Sequence, residues 1–303
     1  MGTQRHGALY LNENLQLSYL TVVRKMLFIL PILEYPLAIQ PDGDTDMIRL
    51  VFALRKKPNL TREEFQEYWL TQHAPLVASF ATDLNIHRYV QTHTLNDPAN
   101  EAAQQARGEM EPAYDGVAEL WWESEQELEQ TLLTKPAQRA AAALLEDESR
   151  FIDLPHSPLW FAYEYPQINP APEDIVAKPK SNIIRIFFPL RHQPHIKEED
   201  ARHYWLTHHG PIVRSHGAAS GTLCYRQVHR ANSALDAGIQ AVRGTVAESY
   251  LGHAEAWVDR GLAPRTDEAR RAGEAFIEDE RNFIDMKRST IFFGKEYTII
   301  DKR

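Results

Sequence analysis

The chain has 303 residues, 43% hydrophobic and 25% charged, enough apolar material for two ordinary domains with buried cores. A formal net charge of -9 argues against a general nucleic-acid surface, which needs basic side chains to meet phosphate. Cys224 is the only cysteine, so no intrachain disulfide forms, which suits a reducing, cytoplasmic setting.

Residues 1–46 form an arm of their own. Arg24 and Lys25 precede an apolar stretch from Met26 to Ile39 that is faintly like the core of an export signal, but Pro31, Glu34 and Pro36 interrupt it and no small-residue cleavage pattern follows. The stretch is also too short and broken to cross a bilayer, so no membrane partner is expected. A flexible arm, a strand-like extension or a natural start at Met47 are the plainer readings. Beyond it, Ile48, Leu50, Phe52 and Leu54 alternate with Arg49, Val51, Ala53 and Arg55, the period-two pattern of a strand. Thr61 and Glu64 make a capping box that opens a helix, on which Phe65, Trp69 and His73 share one face. Pro75 is expected to end or kink that helix at Ala74, because it lacks a donor and crowds the preceding residue. A second strand carries Tyr89, Gln91 and His93 on one face, and a third spans about 115–122. A polar, alanine-rich helix over about 124–146 and a strand over about 158–165 complete the unit. The order β-α-β-β-α-β is the ferredoxin-like motif, giving an α+β fold class. The long connections 95–113 and 231–249 exceed hairpin length and read as helical excursions or lids.

The unit occurs twice. Residues 65–77 and 201–213 share Tyr-Trp-Leu-Thr followed by His and Pro, with Trp69 on Trp205 and His73 on His209, a shift of 136. The same shift carries Arg49 to Arg185, Tyr89 to Tyr225, Gln91 to Gln227, His93 to His229, Arg107 to Arg243, Glu119 to Glu255 and Trp121 to Trp257. After a four-residue deletion, a shift of 132 carries Phe151-Ile152-Asp153 to Phe283-Ile284-Asp285. One register across so many unlike residues marks a duplication. The expected layout is an arm (1–46), a first repeat (47–165), a linker with four prolines (166–181) and a second repeat (182–303). A four-stranded sheet with helices on one side leaves a bare face, expected to carry Val51, Tyr89 and Trp121, which the other repeat must cover.

The pattern Y-W-x-x-x-H-x-P-[LI]-V after a strand, with a later acidic F-I-D segment, resembles the EthD family of dimeric α+β barrels. The resemblance covers about 47–165 and 182–300 and implies two ferredoxin-like units closing as one barrel within a single chain. The family takes its name from ethyl tert-butyl ether degradation clusters, and its fungal relatives look like decarboxylases or dehydratases of aromatic polyketides. Cousins with this barrel include cofactor-independent monooxygenases, isomerases and haem enzymes, so the resemblance leaves the reaction open.

His73 and His209, each at a helix end beside a proline and facing inward, are the leading candidates for general acid–base work; the alternative is a histidine that only caps the helix. Tyr89, Gln91 and His93, with Tyr225, Gln227 and His229, offer hydrogen bonds to a ligand or to one another. Arg49, Arg185, Trp69, Trp205, Trp121 and Trp257 are further candidates to hold a substrate. Asp153 and Asp285 are the carboxylates expected to orient the histidines, while the runs Glu146-Asp147-Glu148 and Glu278-Asp279-Glu280 read as solvated helix faces. The histidines of the second repeat lack metal-ligand spacing, and no nucleotide fingerprint occurs, so no metal and no organic cofactor is expected. The leading function is a cofactor-independent lyase-like, isomerising or oxygenating enzyme acting on a small hydrophobic or aromatic molecule. A non-catalytic ligand-binding protein and a haem or metal protein are the competing readings, and a homodimer is compatible with either. Because Ala201, His208 and His216 stand where the first repeat has Phe65, Gln72 and Phe80, the second repeat is expected to hold the roomier pocket, ranking His209 above His73.

Overall fold

The strands β1 (Ile48–Leu54), β2 (Arg88–Thr94), β3 (Gly116–Trp122) and β4 (Leu159–Ile168) belong to the first repeat. Their counterparts are β5 (Ile183–Leu190), β6 (Thr222–Arg230), β7 (Gly252–Asp259) and β8 (Phe292–Asp301). A computed structural model describes residues 47–169 and 175–303; the expectations for residues 1–46 lie outside them. Within each repeat the strands pair antiparallel in the order 4-1-3-2, and the two sheets then join edge to edge, β2 to β8 and β4 to β6, into one closed eight-stranded barrel. Closure removes the four open edges that separate sheets would carry.

The helices lie outside. In the first repeat α1 (Arg62–Tyr68) opens on the Thr61–Glu64 capping box. It passes through a π-helical turn, Trp69–His73, and continues as α2 (Ala74–Ser79). Of the two outcomes expected from Pro75, an end or a kink at Ala74, the end does not occur, and the chain stays helical with a π turn just before that point. The wide turn, in which the Ala74 N–H reaches the Trp69 carbonyl, absorbs the proline. The expected helix over 124–146 is two helices, α4 (Glu125–Leu132) and α5 (Lys135–Phe151), the second beginning at the Thr134 cap with Pro136 in its first turn. The second repeat repeats the plan with α6 (Glu198–Tyr204), a π turn at Trp205–His209, α7 (Gly210–Ser220) and α9 (Asp267–Glu280). Lys197 gives no side-chain cap, yet α6 still begins there with Glu198, Glu199 and Asp200 facing its positive end. The two long connections each hold a helix, α3 (Ala99–Gln105) and α8 (Leu235–Arg243). Strand β4 runs on through Pro166 to Ile168 with a bulge, so the expected spacer starts later than its first proline.

Strand alternation sorts the core into layers. Phe52, Leu54, Trp122 and Phe161 pack outward under the helices of the first repeat. Val51, Val117, Trp160, Phe187, Val228 and Phe292 fill the barrel. Tyr89 is the exception to the expected bare face: it pairs with Leu120, and both look outward toward the helices. The pseudo-twofold axis is marked by Tyr114 and Tyr250, a repeat pair whose hydroxyls meet each other at 3.0 Å. Around it the halves are related as an isologous dimer would be.

Residues 47–165 alone would bare the edges of β2 and β4 together with the inner face. That fragment is expected to homodimerise or aggregate, and a stable monomer in sedimentation would show that closure by the second repeat is dispensable.

Candidate functional site

The histidine of each π turn meets a carboxylate from the long helix beside it. His73 Nδ1 lies 2.8 Å from Asp147 Oδ2, and the Tyr68 hydroxyl donates to Asp147 Oδ1 at 2.7 Å. The hydrogen bond from His73, reinforced by that from Tyr68, holds the Asp147 carboxyl below its usual range despite partial burial. An ionised Asp147 only accepts, so Nδ1 carries a proton, and in the neutral imidazole Nε2 is then the atom with the lone pair. The second repeat reproduces the set: His209 Nδ1 lies 2.7 Å from Asp279, which also accepts from Tyr204 at 2.7 Å. Burial raises the Asp279 carboxyl, and the bonds from His209 and Tyr204 outweigh it and bring it below its ordinary value.

These contacts correct the expected partners. Asp153 turns away to His156 at 2.9 Å, and Asp285 lies 3.8 Å from Arg288. The run 146–148 is not a solvated face: Asp147 and Glu148 are buried, as are Asp279 and Glu280. The signal was present in the identical Glu-Asp-Glu runs, one helical turn before Phe151 and Phe283, whose rings pack on His73 and His209 at 5.2 and 5.4 Å.

His73 lines an apolar cavity of about 140 Å³ on the outer face of the first sheet. Its floor is Leu50, Phe52, Tyr89 and Leu120, and its roof includes Leu235, Gly238, Ile239 and Val242 of α8, a helix of the other repeat. Cavities of about this size lined by aliphatic and aromatic groups hold a benzene ring. This cavity lies on the first repeat, whereas the sequence pointed to the second. Phe65 packs on Trp69 and Phe151 away from the cavity, so its exchange for Ala201 opens nothing there. In the second repeat α7 is longer and lies along α9, with His216 meeting Phe276 edge on at 6.1 Å. Leu144 lines the first-repeat cavity at the position equivalent to Phe276.

Beneath α1 the polar groups of β2 bind one another. Trp69 stacks on His93 at 4.7 Å, against Gly116, where a Cβ would lie 2.5 Å from the indole. Gln91 Nε2 donates to the Trp69 carbonyl at 3.0 Å and to Tyr89 at 2.9 Å, and His93 Nε2 lies 2.9 Å from Gln91 Oε1. Burial pushes His93 and His229 down to about 3, so both imidazoles are neutral. Trp205, Gln227 and His229 repeat the arrangement.

Arg49, Arg185, Trp121 and Trp257 lie elsewhere, inside the barrel. Arg49 meets Glu255 of the other repeat at 3.2 Å, and Arg185 meets Glu119 through two nitrogens, one at 2.9 Å. The Arg49 and Arg185 guanidiniums lie over Trp121 and Trp257, at 5.1 and 5.0 Å. Burial raises Glu119, but Arg185 and Arg49 together hold it below its usual value. Glu119, His253 and Glu255 bring ligand atoms close enough for a metal, yet the two guanidiniums already balance the two carboxylates, so the set does not suit a cation. These arginines are cross-braces between halves rather than neighbours of the cavity. Glu255→Ala removes one of the two buried carboxylates that Arg49 and Arg185 share and should cost about 3–5 kcal/mol in chemical unfolding; a loss under 1 kcal/mol would deny the bracing.

The covering helices are exchanged between repeats. Arg243 of α8 grips Glu148 through two bonds at 2.8 and 2.9 Å, and Arg107, just beyond α3, grips Glu280 at 2.7 and 2.8 Å. Asp236 of α8 accepts from the Phe161 N–H at 2.8 Å, where Asn100 of α3 accepts from Phe293 at 2.8 Å. Burial raises Asp236 to about 6, with Glu125 adding to the rise and Arg230 opposing it. A raised acid binds its proton more tightly in the docked state, so α8 docking is strongest at low pH and weakens as pH climbs from about 4 through 6. Amide exchange in α8 should therefore rise relative to α3 between pH 5 and 7, and Asp236→Asn should flatten the ratio. A ratio independent of pH in the unaltered chain would exclude this role for Asp236.

Among the described residues no helix is long and apolar enough to cross a membrane. No curated protein matches the chain. Among solved structures, an ethyl tert-butyl ether D (EthD) family protein from Bacillus halodurans is 18% identical, matching 39% of this chain and 99% of its own, with a TM-score of 0.28. A dye-decolorizing peroxidase from Bacteroides thetaiotaomicron is 10% identical over 84% of this chain and 93% of its own, with a TM-score of 0.41. A mutant chlorite dismutase from Candidatus Nitrospira defluvii is 9% identical over 85% and 93%, with a TM-score of 0.40. The family model of the EthD domain matches residues 57–155 and again 193–287, and the chain therefore belongs to the EthD family, carrying the domain twice.

Proposed function

We propose that the protein is an enzyme in which His73, oriented by Asp147, exchanges a proton with a small, apolar, ring-sized substrate held in the first-repeat cavity, without an organic cofactor. The observation that carries this reading is one imidazole in two settings: Nδ1 is bound by a carboxylate held ionised, and the same ring forms part of an apolar cavity wall. The carboxylate sets the tautomer, so Nε2 can take a proton from the substrate, and it stabilises the imidazolium that results. Aliphatic walls keep water away while the proton moves. The ranking of the histidines is reversed from the expectation, with His73 the working group. His209 has the same partners but α7 and α9 packed closely beside it.

That recurrence also favours a second reading. A His–Asp–Tyr set in both repeats can serve only to join the π turn to the long helix, leaving the cavity to bind a ligand without chemistry.

Solvent-deuterium exchange into a panel of small aromatic carbonyl and phenolic compounds separates the two. His73→Ala and Asp147→Asn should each slow exchange roughly 10²- to 10⁴-fold, with His209→Ala near the parent rate per folded molecule. Equal losses from His73→Ala and His209→Ala in melting temperature, with no loss of turnover, would leave the histidines as braces.

A further inference from the structure

The hydrogen bonds around Tyr89 can be assigned by chemistry alone. The Trp69 carbonyl only accepts, so the Gln91 atom 3.0 Å from it is the amide nitrogen. The Gln91 oxygen is then an acceptor, and the neutral His93 reaches it at 2.9 Å through a protonated Nε2. The same Gln91 nitrogen donates to the Tyr89 hydroxyl at 2.9 Å, and indole Nε1 of Trp69, which can only donate, reaches it at 3.0 Å. Tyr89 thus receives two N–H groups at one oxygen, and its own O–H proton goes to neither partner.

That hydroxyl belongs to a residue 1% exposed, in the wall of the His73 cavity. The nearby carboxylate is not its acceptor: Glu148 makes its hydrogen bonds to Arg243, and none joins it to Tyr89. A buried donor without an acceptor is destabilising, and a ligand that accepts from it removes that penalty. Burial drives the Tyr89 hydroxyl well above its ordinary pKa, so it keeps its proton. Tyr225 is held more slackly, at 3.3 and 3.4 Å from its two donors, and is not part of this cavity.

We propose that the Tyr89 hydroxyl donates to an oxygen of the ligand, and that the first-repeat cavity accordingly takes small aromatic carbonyl compounds rather than hydrocarbons of the same shape. This rests on the reading of the cavity as the ligand site. It also accounts for the division of the walls: apolar groups meet the ring, and a single hydroxyl meets the one polar atom.

Benzaldehyde and styrene differ only in carrying C=O or C=CH₂, and they test the assignment by calorimetry on the full chain. Benzaldehyde should bind roughly tenfold tighter than styrene, and Tyr89→Phe should erase that difference while leaving styrene unchanged. The infrared carbonyl stretch of bound benzaldehyde supplies a readout that needs no variant: it should lie below its value in hexane, and return toward it in Tyr89→Phe. An unshifted stretch in the unaltered protein, or equal affinity for the two probes, would overturn the donor role and leave the cavity standing as an apolar site. Failure of both probes to bind would overturn the cavity reading and this assignment with it.

Discussion

A four-stranded antiparallel sheet with helices on one side has an inner face and two edges that water cannot satisfy cheaply. In this chain a single closure meets all three demands, because β2 pairs with β8, β4 pairs with β6, and the two inner faces become one barrel core. Closure also brings Arg49 against Glu255 and Arg185 against Glu119, adding a partner from the other repeat to each buried arginine. Each arginine also meets carboxylates of its own repeat, Arg49 with Glu119 and Arg185 with Glu255, so closure joins two pairs into one buried network that loses partners when either half is removed.

The barrel is filled with side chains, and the cavity beside His73 lies outside it. The space available for a ligand lies between the outer sheet face and the helices, where the π turn aims His73 back over the strands. The extra residue in that turn matters twice. It accommodates Pro75, and it leaves the Trp69 carbonyl shared between the Ala74 N–H and Gln91, tying the helix to β2 directly below the histidine. The roof comes from the other repeat, as α8 crosses over to cover the cavity and Arg243 clasps Glu148. The site is therefore composite although the chain is single: the histidine belongs to one repeat and part of the wall that would select a ligand belongs to its copy.

The two repeats keep the same machinery and differ in the space around it. Both have the His–Asp–Tyr set, the Trp–His stack and the crossed arginine clasp. They diverge in how the helices lie beside the histidine, where Phe276 and His216 meet in one and Leu144 borders open space in the other. They diverge also at Asp236, a titrating acceptor where the opposite helix has the neutral Asn100. Duplication followed by divergence of this kind leaves one copy free to serve as scaffold and cover for the other.

The amino-acid pattern by itself determined the duplication, the β-α-β-β-α-β order, the strand faces of β1 and the helical excursions, because these follow from local periodicity and from residues repeated in register. It also singled out His73, Tyr89 and Arg243 as members of repeated pairs. It could not say that Asp147 rather than Asp153 meets His73, since that contact spans 74 residues and depends on how α5 lies against the π turn. Nor could it put Tyr89 on the helix side of the sheet and Arg49 inside the barrel, because the facing of β2 relative to β1 is set by the register both share with β3. The cavity was the least legible feature. Its volume is what remains after three helices of one repeat and one of the other have packed, and such a remainder is a property of the whole tertiary structure rather than of any segment.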